Sequence, residues 1–350
     1  MCAIVSNDEE ASMGSVTIKD IAKLADVSCA TVSRVLNDAP GVNAETREKV
    51  LALCRQQGYR RNLLARTLSA SHAGIISCIV SDLKNPLFTE FFFALEQTAR
   101  RLGYHVMLCY GRAEDPDIRQ LFDFLIGHHV DGIIFVSSSR QAPELIRLYA
   151  DRVPIVLQGM FDLPVQEMPV PAVCVDNITG GRIAAEYLYK LGHREVAYVG
   201  LRESNVSHSL RYRGFAEAAQ RLGMSVQVSS NVGLSSTIDV GYQLSKEFFF
   251  DNYHATAMFA ACDSIAMGVM AAAKEFHISI PEEISILGFD NINYSSLPNI
   301  RLTTLDCQKD LLAKTAIGCL LERIGANEPL DSQPRMIPPL LLERTTCRSI

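Results

Sequence analysis

The sequence predicts an α/β protein built from a small all-α module and a larger two-lobed body of doubly wound parallel sheets. Three observations carry this. The first sixty residues contain three short amphipathic helical patterns with capping residues between them. From residue 74 onward, short apolar runs alternate with amphipathic helical stretches. Charge is divided in the same place: residues 16–70 hold nine Lys and Arg against five Asp and Glu, whereas residues 71–350 hold 24 against 31.

Composition bounds the classes available. The 350 residues exceed one ordinary domain, and 48% are apolar, ample for large buried cores. No run approaches twenty uninterrupted apolar residues, so no membrane span is expected. The opening stretch MCAIVSNDEEASMGS carries three acids and no base, unlike a secretory leader, and residues 1–15 read as a disordered extension. None of the ten cysteines forms a CxxC pair or stands at metal-ligand spacing with a histidine, and most lie in apolar runs such as GIISCIV and AVCVD. They read as reduced thiols filling cores, which points to the cytoplasm, with no metal or cofactor. Strings for a nucleophile elbow, a phosphate loop, a dinucleotide fold or a zinc protease are absent, so no enzyme is expected. His128-His129 ends a helical pattern, where interaction with the helix dipole is a better reading than metal binding.

In the first module, residues 16–60, Thr17 can cap a helix over Ile18–Ala25 with Asp20 as the reciprocal acid. Ile18, Ile21, Ala22, Leu24 and Ala25 form its apolar face. Asp26-Val27-Ser28 breaks the period, and Ser28 can cap a second helix whose Val32, Val35 and Leu36 repeat at three and four residues. After a turn at Asn37–Gly41, Asn43 caps a third helix, Ala44 to Gln57, which uses Val50, Leu51, Leu53 and Cys54 and stops at Gly58. This is a helix-turn-helix pattern. If it grips a duplex, the second helix enters the major groove. Cys29 and Ala30 then reach base edges with Arg34 one turn on, while Thr17, Ser28, Thr31, Ser33 and Asn43 bond phosphates. Periodicity alone fits any small three-helix bundle equally well.

The full string weighs more. TIKDIAKLADVSCATVSRVLN and VNAETREKVLALCRQQGY resemble, nearly residue by residue, the headpiece of the lactose/galactose repressor (LacI/GalR) family. Residues 61–73 resemble its hinge, a short helix that folds on operator DNA. The resemblance carries Asn62, Ala65 and Leu68 to DNA contacts, with Leu68 as a minor-groove wedge. Arg61 stands where the family usually has a proline that would start the helix rigidly.

In the body, strand runs are expected at 75–80, 104–109, 132–136, 153–157, 172–175, 196–200, 225–229, 256–260 and 284–289. Helices are expected at 88–102, 115–128, 178–191, 211–222, 237–250, 263–276 and 309–325. Such alternation implies parallel sheets covered on both faces, and its length implies two lobes whose strand ends face a cleft. NPLF, VDGIIF, VDNITGGRIAAEYLYKLGHREVAYVG, RYRGF, CDSIAMG, ISILGFDN, LTTL and LLLERT resemble the LacI/GalR sensor, which is similar to type I periplasmic sugar-binding proteins. That resemblance implies a domain over 74–347. It places lobe one at about 74–175 and 309–337, and lobe two at about 176–305 and 338–347. It carries Arg211 and Asp290 to an effector site, a donor fork and an acceptor suited to a polyol. It also brings Leu83, Asn85, Thr89, Gln158, Ser236 and Cys262 to the cleft. Ser236 stands where an aromatic usually stacks on a sugar, with Phe88 or Phe161 as substitutes, and Cys262 replaces the asparagine before Asp263. The partners implied are a near-palindromic operator, a small polar effector and a second copy in a C2 dimer, with no trailing leucine heptads for a tetramer. The alternative classes are a transport sugar-binding protein, against which the added headpiece argues, and an enzyme.

Overall fold

The computed structural model describes residues 16–36, 38–59, 72–160, 167–230, 233, 235–250, 254–325 and 333–350. The extension over 1–15, Phe161 and most of the hinge stretch, including Arg61, Asn62, Ala65 and Leu68, lie outside the described residues. The chain divides into two compact units, 1–73 and 74–350.

In the first unit, α1 (Ile18–Ala25), α2 (Cys29–Leu36) and α3 (Ala44–Gln56) enclose Ile21, Ala22, Ala25, Val32, Val35, Val50 and Cys54. Thr17 and Asp20 close a capping box: Thr17 N–H donates to the Asp20 carboxylate at 2.8 Å, and Asp20 N–H to Thr17 Oγ1 at 3.4 Å. Asp26 ends α1 in the left-handed region at φ 57°. Ser28 Oγ then accepts from Thr31 N–H at 3.1 Å, and Asn43 Oδ1 from Thr46 N–H at 2.7 Å. Arg47 of α3 fastens the intervening turn by donating to the Ala39 carbonyl at 2.8 Å and to Asp38 at 2.5 Å. Leu24 and Leu51, assigned to apolar faces by periodicity, are exposed, because three short helices bury only a narrow stripe of each.

The second unit holds two six-stranded sheets. The first runs β11-β5-β4-β3-β1-β2, all parallel, from β1 (Ile75–Val80), β2 (His105–Tyr110), β3 (Gly132–Val136), β4 (Ile155–Gln158), β5 (Ala172–Val175) and β11 (Arg335–Ile337). The second runs β12-β10-β9-β8-β6-β7, from β6 (Glu195–Leu201), β7 (Ser225–Ser230), β8 (Ala257–Ala260), β9 (Ser285–Asp290), β10 (Thr303–Asp306) and β12 (Leu340–Leu342); only β12 is antiparallel. The central strands β1, β3, β8 and β9 are almost wholly buried, which explains their mainly apolar composition. The edge strands β2 and β7 hold exposed and half-buried positions and none that is buried.

The helices are α4 (Pro86–Arg101), α5 (Ile118–Gly127), α6 (Ala142–Arg147), α7 (Asn177–Lys190), α8 (Val206–Arg221), α9 (Ile238–Phe250), α10 (Asp263–Glu275) and α11 (Lys309–Gly325). Helix α7 packs on α8, α9 on α10, and α4 on α11. The α7–α8 approach is close enough to require glycine. A Cβ on Gly181 would lie 2.0 Å from the Arg211 carbonyl oxygen, and one on Gly214 would lie 2.1 Å from that of Ile178.

Three differences from the periodic reading have local causes. Helix α8 begins at Val206 rather than 211, because Asn205 caps it by accepting from His208 N–H at 3.0 Å, in a stretch too polar to show a period. Strands β10, β11 and β12 are three or four residues long, too short to alternate visibly. The six-residue α6 is fewer than two turns, too short to show a period. Six cysteines (54, 78, 174, 262, 307 and 319) are buried, whereas Cys29 is exposed. His128 Nδ1 lies 2.8 Å from the Phe124 carbonyl, at the end of α5.

Candidate functional site

Helix α2 presents a small, open leading edge. Cys29, Ala30 and Arg34 are exposed, and Thr31 and Ser33 are half-buried. Thr17, Ser28 and Asn43 are exposed, each with its side-chain oxygen engaged in a helix cap. Lys19, Lys23 and Lys49 are exposed on the same unit. Small residues leave room for a base edge, a guanidinium one turn later can grip guanine in two places, and the surrounding ammoniums attract phosphate.

The second unit contains a cleft at the carboxyl ends of strands from both sheets. Residues from the first sheet's side include Asn85, Phe88 and Gln158; the other side supplies Asn177, Arg211 and Asp290. Links across it among the described residues include Ser138 Oγ to Ser207 Oγ at 2.7 Å, Val206 N–H to the Ser138 carbonyl at 2.8 Å, Ser235 Oγ to Asp82 at 2.5 Å, and Asn293 N–H to Glu90 at 2.8 Å.

Arg211 is buried and fully oriented. Its Nε and Nη2 donate to Asn177 Oδ1 at 3.2 and 2.8 Å, and its Nη1 donates to the Ala261 carbonyl. The guanidinium carbon stands 3.4 Å over the Phe289 ring centre. Hydrogen bonds and the ring face offset the loss of water around this charge. Asn177 can act because the Gly181–Gly214 contact draws the first turn of α7 against α8.

Asp290 ends β9 at φ 109°, a strained conformation for a residue with a Cβ. Burial pushes its carboxyl up to about 7; Arg211 and Lys309 pull it down, while Asp263 and Glu90 push it further up. No described residue hydrogen-bonds its carboxylate, although the cleft is open to it. The next loop is held by Asp263, which accepts from Ile292 N–H at 2.9 Å and from the hydroxyls of Ser295 and Thr304 at 2.5 Å each. Lys309 Nζ donates to the Asp290 carbonyl at 3.2 Å and pairs with Glu90 at 3.4 Å.

Of the residues expected in the cleft, Asn85, Gln158, Arg211, Ser236 and Asp290 line one cavity, as does Phe88. Asn85 is partly occupied by capping α4, accepting from Leu87 N–H at 3.0 Å. Three do not line it. Leu83 is 41% exposed. Thr89 faces an outer groove with Phe93 and Lys314, its hydroxyl donating to the Pro86 carbonyl at 2.9 Å. Cys262 is the buried N-cap of α10, where burial raises its thiol to about 12. The sequence reading missed Asn177, Arg202, His208 and Lys309 as lining residues. Asn177 and Lys309 follow a strand end by two or three residues, a signal that could have found them. His208 had none, because the start of its helix was not legible.

Comparison with known proteins matches residues 17–62 to the bacterial regulatory proteins of the lacI family, and residues 185–347 to a periplasmic binding protein-like domain. The chain is 31% identical to catabolite control protein A of Priestia megaterium, over 93% of this chain and 97% of that protein. It is 30% identical to the HTH-type transcriptional repressor PurR of Pectobacterium carotovorum, over 94% and 96%. Among solved structures, the Lac repressor dimer bound to operator and the anti-inducer ONPF aligns with a TM-score of 0.84 at 27% identity, covering 96% of this chain and 100% of that one.

Proposed function

Since the chain belongs to the lacI family of bacterial regulatory proteins and is thereby a DNA-binding transcriptional regulator, we propose that it is a cytoplasmic repressor. In this reading it binds a near-palindromic operator as a homodimer, and a small polar molecule held in the cleft sets its affinity. The observation that carries the reading is the presence, in one chain, of an exposed helix α2 in a basic three-helix unit and a cleft lined by a buried oriented guanidinium and by a carboxylate that no described residue hydrogen-bonds.

Cys29, Ala30 and Arg34 read bases in this proposal, and Thr17, Ser28, Thr31, Ser33 and Asn43 set register on phosphates. Asn62, Ala65 and Leu68 are assigned to the minor groove at the centre of the site. One headpiece is too small a contact for tight specific binding, so two are required. Arg211 and Asp290 orient the effector, with Asn85, Gln158 and Ser236 around it. Lobe closure about the ligand changes the population of DNA-competent dimers. The lobes divide at about 175–176, 305–309 and 337–338.

The test is footprinting on the DNA flanking the gene, with and without small-molecule extracts. A protected symmetric site whose occupancy changes on adding a small molecule supports the reading. Uniform, salt-sensitive coating without a protected site excludes operator recognition.

A further inference from the structure

The turn that follows β9 is held from both sides of the cleft. Asp290 and Asn291 stand in succession at positive φ, 109° and 53°, and neither is glycine. Such a backbone persists only where its surroundings hold it. Both carbonyls meet one ammonium: Lys309 Nζ donates to that of Asp290 at 3.2 Å and to that of Asn291. Two residues on, Asn293 N–H donates to Glu90 Oε1 at 2.8 Å, and Glu90 Oε2 stands 3.4 Å from Lys309 Nζ.

The holders differ in origin. On the second sheet's side, Asp263 accepts from Ile292 N–H at 2.9 Å, and Arg344 Nη2 donates to Asn291 Oδ1 at 2.7 Å. Glu90 comes from α4, which packs on β2 of the first sheet, and Lys309 opens α11, which packs on α4. Parting the two sheets therefore breaks the bond from Asn293 to Glu90 and leaves those of Asp263 and Arg344 intact.

The Lys309 and Glu90 side chains are only 15% and 14% exposed, so solvent screens the pair poorly, and removing one partner leaves the other charge uncompensated. Lys309 also lines two spaces at once. One is the cavity shared by Arg211 and Asp290; the other is the outer groove beside Glu90, Asn291 and Asn293. The ion pair is part of the wall between them.

We infer that Glu90 and Lys309 form a catch across the cleft: their ion pair holds the turn 290–293 against α4, fixes the direction of Asp290 and biases the two sheets toward closure. Both are positioning residues, acting through the backbone of Asp290 and not on a ligand. The regulatory meaning of the catch rests on the cleft being the effector site.

The experiment is residue-resolved hydrogen exchange on the full chain, with neither effector nor DNA. Ile292 and Asn293 are adjacent amides, the first bonded within its own side and the second across the cleft. Glu90→Ala is expected to speed exchange at Asn293 about tenfold or more, and to change that at Ile292 by less than about twofold. Lys309→Met, at a residue that bonds neither amide, is expected to speed Asn293 alone by about tenfold as well. The double variant is no faster at Asn293 than Glu90→Ala, because a catch is broken only once. Should Glu90→Ala fail to fold, Glu90→Gln keeps an oxygen for the amide and removes only the charge; it is expected to speed Asn293 about threefold or more.

The catch is overturned if Asn293 exchanges at the wild-type rate in either single variant, or if the double variant adds the two effects. It is also overturned if Ile292 is released to the same extent, since that marks general loosening of the turn. Footprinting of Glu90→Ala then reads function. A protein concentration for half-protection shifted about threefold or more supports regulation through the catch. An unchanged value overturns that part and leaves the effector cleft standing. Selective release of Asn293 in a chain that protects no site keeps the catch and removes the operator reading.

Discussion

Asn177 Oδ1 accepts two hydrogen bonds from the Arg211 guanidinium, at 3.2 and 2.8 Å, across the contact between α7 and α8. The amide oxygen holds the buried cation over Phe289 in the cleft wall, so in the proposed reading ligand affinity depends on a residue 34 positions earlier in the chain.

Removing that aim separates recognition from folding. Asn177→Ala leaves a buried guanidinium with the Ala261 carbonyl as its remaining acceptor and is expected to cost about 1–3 kcal/mol of stability. Arg211→Ala removes the cation itself and abolishes the effector response while sparing operator binding. Thermal melts and gel shifts with effector check the pair. An unchanged response in Arg211→Ala would exclude that residue from the site.

The Asp290 carboxyl, raised to about 7, makes a prediction of definite sign. Its unfolded counterpart titrates near 4, roughly 3.9. Between those values the folded chain holds the extra proton, so this group's contribution to stability falls as pH rises from about 4 to about 7. Asp290→Asn removes the trend, and the stability advantage of the variant over the wild type should widen across that window in denaturant titrations. Ligand hydroxyls need the carboxylate as acceptor, so wild-type effector affinity should strengthen as pH passes through 7, and the variant should bind weakly at every pH.

The α7–α8 contact tolerates no side chain. Gly181→Ala and Gly214→Ala each drive a methyl onto a backbone carbonyl and are expected to cost about 1–3 kcal/mol or more. Because the shift separates Asn177 from Arg211, effector affinity should fall together with Tm. A variant with normal Tm and normal affinity would show that the helices can part without disturbing the site.

In the first unit, Thr17→Ala removes one half of a capping box and should destabilise the three-helix module by about 1 kcal/mol. Arg34→Ala should leave melting unchanged and reduce discrimination between operator and mismatched DNA by about 1–3 kcal/mol. Leu68→Ala should weaken specific binding far more than nonspecific binding. Equal losses on both DNAs would mean that neither side chain reads the site.

The periodic signals located most elements within two or three residues because each is enforced locally. Val32 and Val35 repeat at helical spacing, and Ile75–Val80 is apolar but for Ser77 because a strand buried on both faces strongly favours apolar side chains. Strand ends pointed to a cleft, and Arg211 and Asp290 were legible from motifs around them.

Amino-acid order by itself determined the fold class, the helix caps of the first unit, the charge division between the units and the strand-helix alternation of the second. Each of these depends on neighbours within a turn or two of chain. Tertiary structure alone decided that Asn177 should hold Arg211, that Thr89 and Leu83 should stand outside the cavity, and that His208 and Ser236 should line it, Nδ1 and Oγ lacking a hydrogen-bond partner among the described residues. Those outcomes depend on where helices and loops from distant parts of the chain come to rest, and no local pattern of residues encodes such distances.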